Sequence, residues 1–262
     1  MGVLLHHTVD GLEEGPVLVL AGSLGSTLEM WEPNVPALGR RLRVVRIDQR
    51  GHGRSPAPPG PYTIAELADD FLTTLDSLGL RDVAWCGLSM GAMIGMHIAS
   101  EHPGRISALT LCATSARFEP APWRQRIADV EEHGLGPLAP RIVGRWFTPA
   151  WAAAHPVAVA RAREWVGDTT QPGYLGCCEA IATWDHVDRL DAIRAPTLVL
   201  AGEADPVAPA EPHAQLLRSA IDGARLETLP ASHLLNIEAA EQVNRLVVDH
   251  VLDAVQGPGS SS

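Results

Sequence analysis

The sequence predicts a doubly wound α/β fold, a mostly parallel sheet with a helical cap inserted late in the chain. Three observations predict it. Unbroken apolar runs of strand length alternate with helical segments, as in a sheet covered on both faces. One run, Val83–Cys86, leads through Gly87-Leu88-Ser89-Met90-Gly91 straight into a helical stretch, a strand–turn–helix with a serine at its apex. The stretch 115–193 then breaks the alternation, with no strand-like run in it.

The elements follow in order. Val17–Leu20 reads as a strand ending at Ala21-Gly22-Ser23-Leu24-Gly25, and Arg43–Ile47 as a strand ending at Asp48. Ile64–Leu78 carries Leu67, Ala68, Phe71, Leu72, Leu75 and Leu78 on one helical face. Thr63 and Glu66 form a capping box at its start and Gly79 stops it. Met90–Glu101 is apolar nearly all round, as a helix buried behind a sheet must be, and Pro103 follows it. Ala108–Cys112, Thr197–Ala201 and Arg225–Leu229 complete the strands, and a last helix runs from about Glu238 to Val255. The alternation predicts a core of 1–114 and 194–255, a helical cap of 115–193, and a Gly/Pro/Ser-rich tail, 256–262, that reads as a linker stump or cloning remnant. Trp123, Trp146, Trp151, Trp165 and Trp184 all fall in the cap and suit an apolar pocket roof.

Composition narrows the function classes. The 262 residues suffice for one large α/β domain. A formal net charge of −11 leaves no evident phosphate-neutralising surface, which argues against nucleic acid as a partner. No basic-plus-apolar leader opens the sequence and no apolar stretch is long enough to span a membrane, so a cytoplasmic protein with no membrane partner is expected. Cys86, Cys112, Cys177 and Cys178 then read as reduced packing residues, and no Cys/His spacing suggests a metal. The first strand–helix turn lacks the Gly-x-Gly-x-x-Gly of a dinucleotide site, so no cofactor is expected. Composition leaves the oligomeric state open.

The chemistry sits at strand ends. A serine hydroxyl at neutral pH needs a base within hydrogen-bond reach. Asp205, in Gly202-Glu203-Ala204-Asp205-Pro206, follows one strand, and His233, in Pro230-Ala231-Ser232-His233, follows the next. Ser89, then Asp205, then His233 is the chain order of nucleophile-elbow hydrolases. His233 would take the Ser89 proton and Asp205 would orient the imidazole. Glu203 is the nearby rival for the acid. The oxyanion donors would be the N–H groups of Met90, directly after the nucleophile, and of Ser23 on the Ala21–Gly25 loop, with Leu24 beside it as the next choice and a substrate contact. The loop Asp48–Ser55 reads as a glycine-punctuated structural turn, and its His52 precedes the nucleophile and is not read as the base.

Several strings together resemble the 3-oxoadipate enol-lactonases of the α/β-hydrolases: Gly22–Ser26 with Met30-Trp31, Asp48–Ser55, Pro59–Tyr62, Cys86–Gly91, Arg145–Pro149, Gly173-Tyr174 and Ala195–Val199. The likeness runs from the first strand to about Leu252, cap included, and the cap string Arg145-Trp146-Phe147-Thr148-Pro149 is its most selective part. The resemblance implies a serine hydrolase that opens an anionic enol lactone to 3-oxoadipate in aromatic catabolism through an acyl-enzyme, with no metal or cofactor. An acidic protein needs a local cation to hold such a substrate, so Arg145 or Arg124 is expected to grip the carboxylate, with Trp146 as an apolar wall. In some relatives the hydrolase is fused to a decarboxylase, and the tail could begin such a linker. The alternative is a broad carboxylesterase or perhydrolase using the same triad. A carbon–carbon hydrolase and a non-catalytic receptor stand further off, and a serine at position 89 excludes the fold's aspartate-nucleophile dehalogenases and epoxide hydrolases.

Overall fold

The computed structural model describes residues 2–256. The tail assigned to 256–262 lies outside the described residues from position 257 on. Seven strands form one sheet: β1 (His7–Gly11), β2 (Val17–Ala21), β3 (Arg43–Ile47), β4 (Val83–Leu88), β5 (Ile106–Cys112), β6 (Thr197–Gly202) and β7 (Arg225–Leu229). Their order is β1-β3-β2-β4-β5-β6-β7. All neighbours are parallel except β1, which pairs antiparallel with β3 at the edge. β1 is the strand sequence reasoning missed. Only Val9 in it is strongly apolar, and that side chain is exposed, so no burial pattern announces the strand.

Helix α1 (Val35–Leu38) lies between β2 and β3, and between β3 and β6 come α2 (Ile64–Ser77), α3 (Met90–Glu101), α4 (Pro120–His133), α5 (Ala139–Val143), α6 (Pro149–Ala154), α7 (Pro156–Asp168) and α8 (Gln171–Ala182). After β6 come α9 (Gln215–Ala220), α10 (Leu235–Glu238) and α11 (Ala240–Gln256). The expected last helix is thus two pieces, a single turn and a long helix, separated at Ala239. The α2 capping box is formed: Glu66 N–H donates to Thr63 Oγ1 at 3.2 Å and Thr63 N–H to Glu66 Oε2 at 2.8 Å. α2 packs on α3, α3 on β4 and β5, and α1 on α11, which itself packs on β5. Every residue of β4 and β6 is buried, so the central strands are covered on both faces and their unbroken apolar runs are explained.

One buried ion pair ties the first loops together. Arg50 donates to both Asp70 oxygens, at 2.6 and 2.7 Å, and Val3 N–H donates to the same carboxylate at 2.7 Å. The four cysteines are free and buried. Cys86 and Cys112, on adjacent strands, bring their sulfurs to 3.9 Å.

Candidate active site

The turn between β4 and α3 sets the site. Ser89 has φ 56° and ψ −114°, a conformation costly for any residue with a side chain. It is held there by Ser89 N–H donating to the Cys112 carbonyl at 2.8 Å and by Thr114 Oγ1 donating to the Ser89 carbonyl at 2.9 Å. The flanking glycines are obligatory. A Cβ on Gly87 would stand 2.3 Å from the Gly91 carbonyl oxygen, and one on Gly91 would stand 2.3 Å from that of Ala21. The helix therefore starts hard against β2, and Ser89 projects from the carboxyl edge of the sheet.

Asp205 and His233 come from the loops after β6 and β7. Asp205 Oδ1 accepts from the N–H groups of Val207 at 2.7 Å and Ala208 at 3.2 Å. Its Oδ2 faces His233 Nδ1 at 2.8 Å. A carboxylate can only accept, so Nδ1 is the donor of this bond. Burial alone would raise the Asp205 carboxyl, but the imidazole beside it and the two backbone N–H groups outweigh burial and hold it below the usual carboxylate range. Glu203, the rival acid, points to solvent instead. The His233 loop is braced by Ser232 N–H donating to Glu238 Oε2 at 2.9 Å and by Leu234 N–H donating to the Trp146 carbonyl at 2.9 Å.

Ser89 and His233 both line one cavity of about 360 Å³, together with Ser23, Leu24, Arg145 and Trp146. Among the described residues no hydrogen bond yet joins Ser89 Oγ to His233, a contact that commonly tightens only when substrate fills a site. Met90, first residue of α3, has no intrahelical acceptor for its N–H. Across from it, Ser23 N–H meets only the soft acceptor Met30 Sδ, at 3.4 Å. Among the described residues no cluster of three or more His, Cys, Asp or Glu is placed to hold a metal.

Arg124 corrects the sequence reading. It is exposed on α4 and does not line the cavity, whereas Arg126 does. The reason is helical phase. Trp123, Arg126, Ile127 and Val130 share the inward face of α4, and position 124 is turned away from it. That spacing was present in the sequence and would have selected Arg126. Phe118 and His213 are further cavity residues that sequence reasoning did not single out, and Tyr174, noted there only within the string Gly173-Tyr174, lines the cavity with them.

The loop Asp48–Ser55 has a role beyond turning the chain. Gln49 Nε2 donates to the Ser23 carbonyl at 2.7 Å, His52 Nε2 accepts from Gly25 N–H at 2.8 Å, and Asp48 Oδ1 accepts from Leu28 N–H at 2.7 Å. It is the scaffold of the Ser23–Gly25 loop. His52 is fully buried with its Nε2 occupied, which removes it from the candidates for base.

A family model described as the alpha/beta hydrolase fold matches residues 15–240. The chain belongs to the α/β-hydrolase family. It is 35% identical to 3-oxoadipate enol-lactonase 2 of Acinetobacter baylyi over 94% of this chain and 92% of the relative. The solved enol-lactonase from Burkholderia xenovorans LB400 superposes with a TM-score of 0.93 at 40% identity, covering 95% of this chain and 96% of that one. RutD of Variovorax paradoxus, named for carbamate hydrolysis, is 30% identical over 97% of this chain and 98% of its own. The resemblance to enol-lactonases therefore extends across the chain, and the chain is a hydrolase of this fold. Among the described residues no helix is long and apolar enough to cross a membrane.

Proposed function

We propose that this α/β-hydrolase is a serine hydrolase that opens 3-oxoadipate enol-lactone to 3-oxoadipate. The observation that carries the reading is the Asp205–His233 pair at 2.8 Å opening onto the same cavity as the strained Ser89, with two arginines in the cavity wall. The relatives named enol-lactonase supply the substrate.

The chemistry follows from the geometry. Ser89 Oγ attacks the ring carbonyl carbon while His233 Nε2 takes its proton. The charge on the carbonyl oxygen falls to the N–H groups of Met90 and Ser23, and an oxyanion displaces the weak Met30 sulfur contact with ease. The ring C–O bond breaks and His233 returns the proton to the leaving oxygen. That oxygen belongs to an enol, which tautomerises to a ketone, so ring opening runs downhill. Water activated by His233 then attacks the acyl carbon and frees the second carboxylate, regenerating Ser89. Arg145, fixed by Nη2 donating to the Pro206 carbonyl at 2.8 Å, stands next to Asp205 and is placed to hold the substrate's free carboxylate against Trp146.

The test compares hydrolysis of the enol lactone with that of p-nitrophenyl acetate, using Ser89→Ala as the blank. Lactone turnover far above that of the aryl ester, and lost in the variant, supports the reading. An equal or faster aryl ester with a slow lactone overturns it in favour of a broad esterase.

A further inference from the structure

The cavity holds a second cation that the proposed reaction has not yet used. Arg126 lines the same cavity as Ser89. Its Nη1 donates to the Tyr174 hydroxyl at 3.0 Å and its guanidinium lies 5.9 Å from the Trp123 ring centre. Tyr174 is fully buried, and burial pushes its phenol up, so the hydroxyl stays neutral and offers Arg126 no countercharge. Among the described residues neither Arg126 nor Arg145 is ion-paired with a carboxylate.

The two arginines hang from different attachments in the cavity. Arg145 hangs from the Pro206 carbonyl, next to Asp205. Arg126 hangs from Tyr174, whose ring lies against Gly25 on the Ser23–Gly25 loop: a Cβ there would stand 3.1 Å from Tyr174 Cε2. One guanidinium thus sits toward the acid–base pair and the other toward the oxyanion loop. Arg145 reaches solvent on one side, yet desolvation and the nearby Arg126 charge both lower its pKa. Two like charges on one cavity, neither ion-paired with a carboxylate, favour an anion there. The other titratable groups lining the cavity do not supply or duplicate this. Glu119 is exposed at the start of α4. His213 binds Ser115 Oγ through Nδ1 at 2.8 Å, and desolvation lowers its pKa, which favours the neutral ring. The net charge of −11 repels anions at long range, so binding must come from local cations.

We infer that the cavity is a receptor for open-chain dicarboxylates, with Arg126 holding the end that Arg145 does not. This rests on the proposed reaction in one respect: opening a monoanionic lactone creates a second carboxylate at Ser89, so the product is of this class and competes with its own substrate. The ligand class itself rests on the two guanidinium groups.

The experiment separates the two. Adipate and hexanoate, equal in chain length and different by one carboxylate, are titrated calorimetrically into the Ser89→Ala protein. Adipate binds more tightly by about tenfold or more, the size of one charged hydrogen-bonded contact. Adding Arg126→Gln brings adipate to the hexanoate level, Arg126→Lys restores part of the difference, and Arg124→Gln, off the cavity wall, changes nothing. Unfolding midpoints check each variant, and if Arg126→Gln does not fold, the adipate–hexanoate comparison and Arg126→Lys decide. Equal binding of the two acids, no binding of adipate at millimolar concentration, or an adipate affinity indifferent to position 126 overturns the inference. A protein that prefers adipate yet leaves the lactone intact loses the proposed reaction and keeps this one.

Discussion

His52 makes the stability of the fold around the Ser23–Gly25 loop depend on acid. Its ring is fully buried, with Nδ1 3.0 Å from the Arg50 carbonyl and Nε2 accepting from Gly25 N–H at 2.8 Å. Since a carbonyl only accepts, Nδ1 holds the single proton and the ring is neutral. Protonating Nε2 would set two N–H donors against each other and put an unpaired charge in the interior. Burial therefore pulls the pKa down to about 4, against an ordinary value near 6.5. The unfolded chain binds this proton at a higher pH than the folded one, so the stability held at neutral pH is lost as pH falls through the window between those two values. Between pH 7 and pH 5 the loss from this residue is about 2 kcal/mol. His97, His186, His213 and His250 are also lowered by burial, so the wild-type slope exceeds this share. His52→Gln isolates it, since the glutamine oxygen can accept from Gly25 N–H and does not titrate. Urea unfolding of both proteins at pH 7 and pH 5 is the assay. The wild type should lose about 2 kcal/mol more than the variant over that interval. Parallel losses would show that His52 does not carry the coupling, and the reasoning would fall.

Three further outcomes are expected. Asp205→Asn should lower kcat for p-nitrophenyl acetate by roughly 10⁴-fold, as removal of the orienting acid does in serine protease triads, because the amide favours the wrong imidazole tautomer; steady-state kinetics with an unchanged unfolding midpoint checks this. Ser89→Gly should abolish hydrolysis and raise stability by about 1 kcal/mol, since glycine adopts φ 56° without the strain that serine bears; denaturant titration reads the gain. Asp70→Ala should cost about 3–5 kcal/mol, because it leaves the Arg50 guanidinium buried without its carboxylate; the same titration reads the loss.

What could be read in the sequence, and what could not, divides along a physical line. Ser89, Asp205 and His233 were legible because each sits a residue or a few residues past a strand, and strand ends of a parallel sheet converge on one edge whatever lies between them. The structure brings them to one place across gaps of 116 and 28 residues without any local signal linking them. Arg126 was legible but misread, since the i, i+3, i+4, i+7 face of α4 is written in Trp123, Arg126, Ile127 and Val130. β1 was not legible, because an edge strand with one exposed valine has no burial to impose a pattern. Nor was the partnership of His52 with Gly25, or of Gln49 with Ser23. These are polar contacts between two loops, and a loop contact obeys no period. The consequence is specific to this fold. The places of Ser89, Asp205 and His233 are fixed by topology and can be inferred from chain order. The Ser23–Gly25 loop is fixed by side chains of a second loop, so its rigidity is a property of Gln49 and His52 rather than of the strand that leads into it. Substitutions at Gln49 or His52 should therefore act on turnover although neither residue itself lines the cavity.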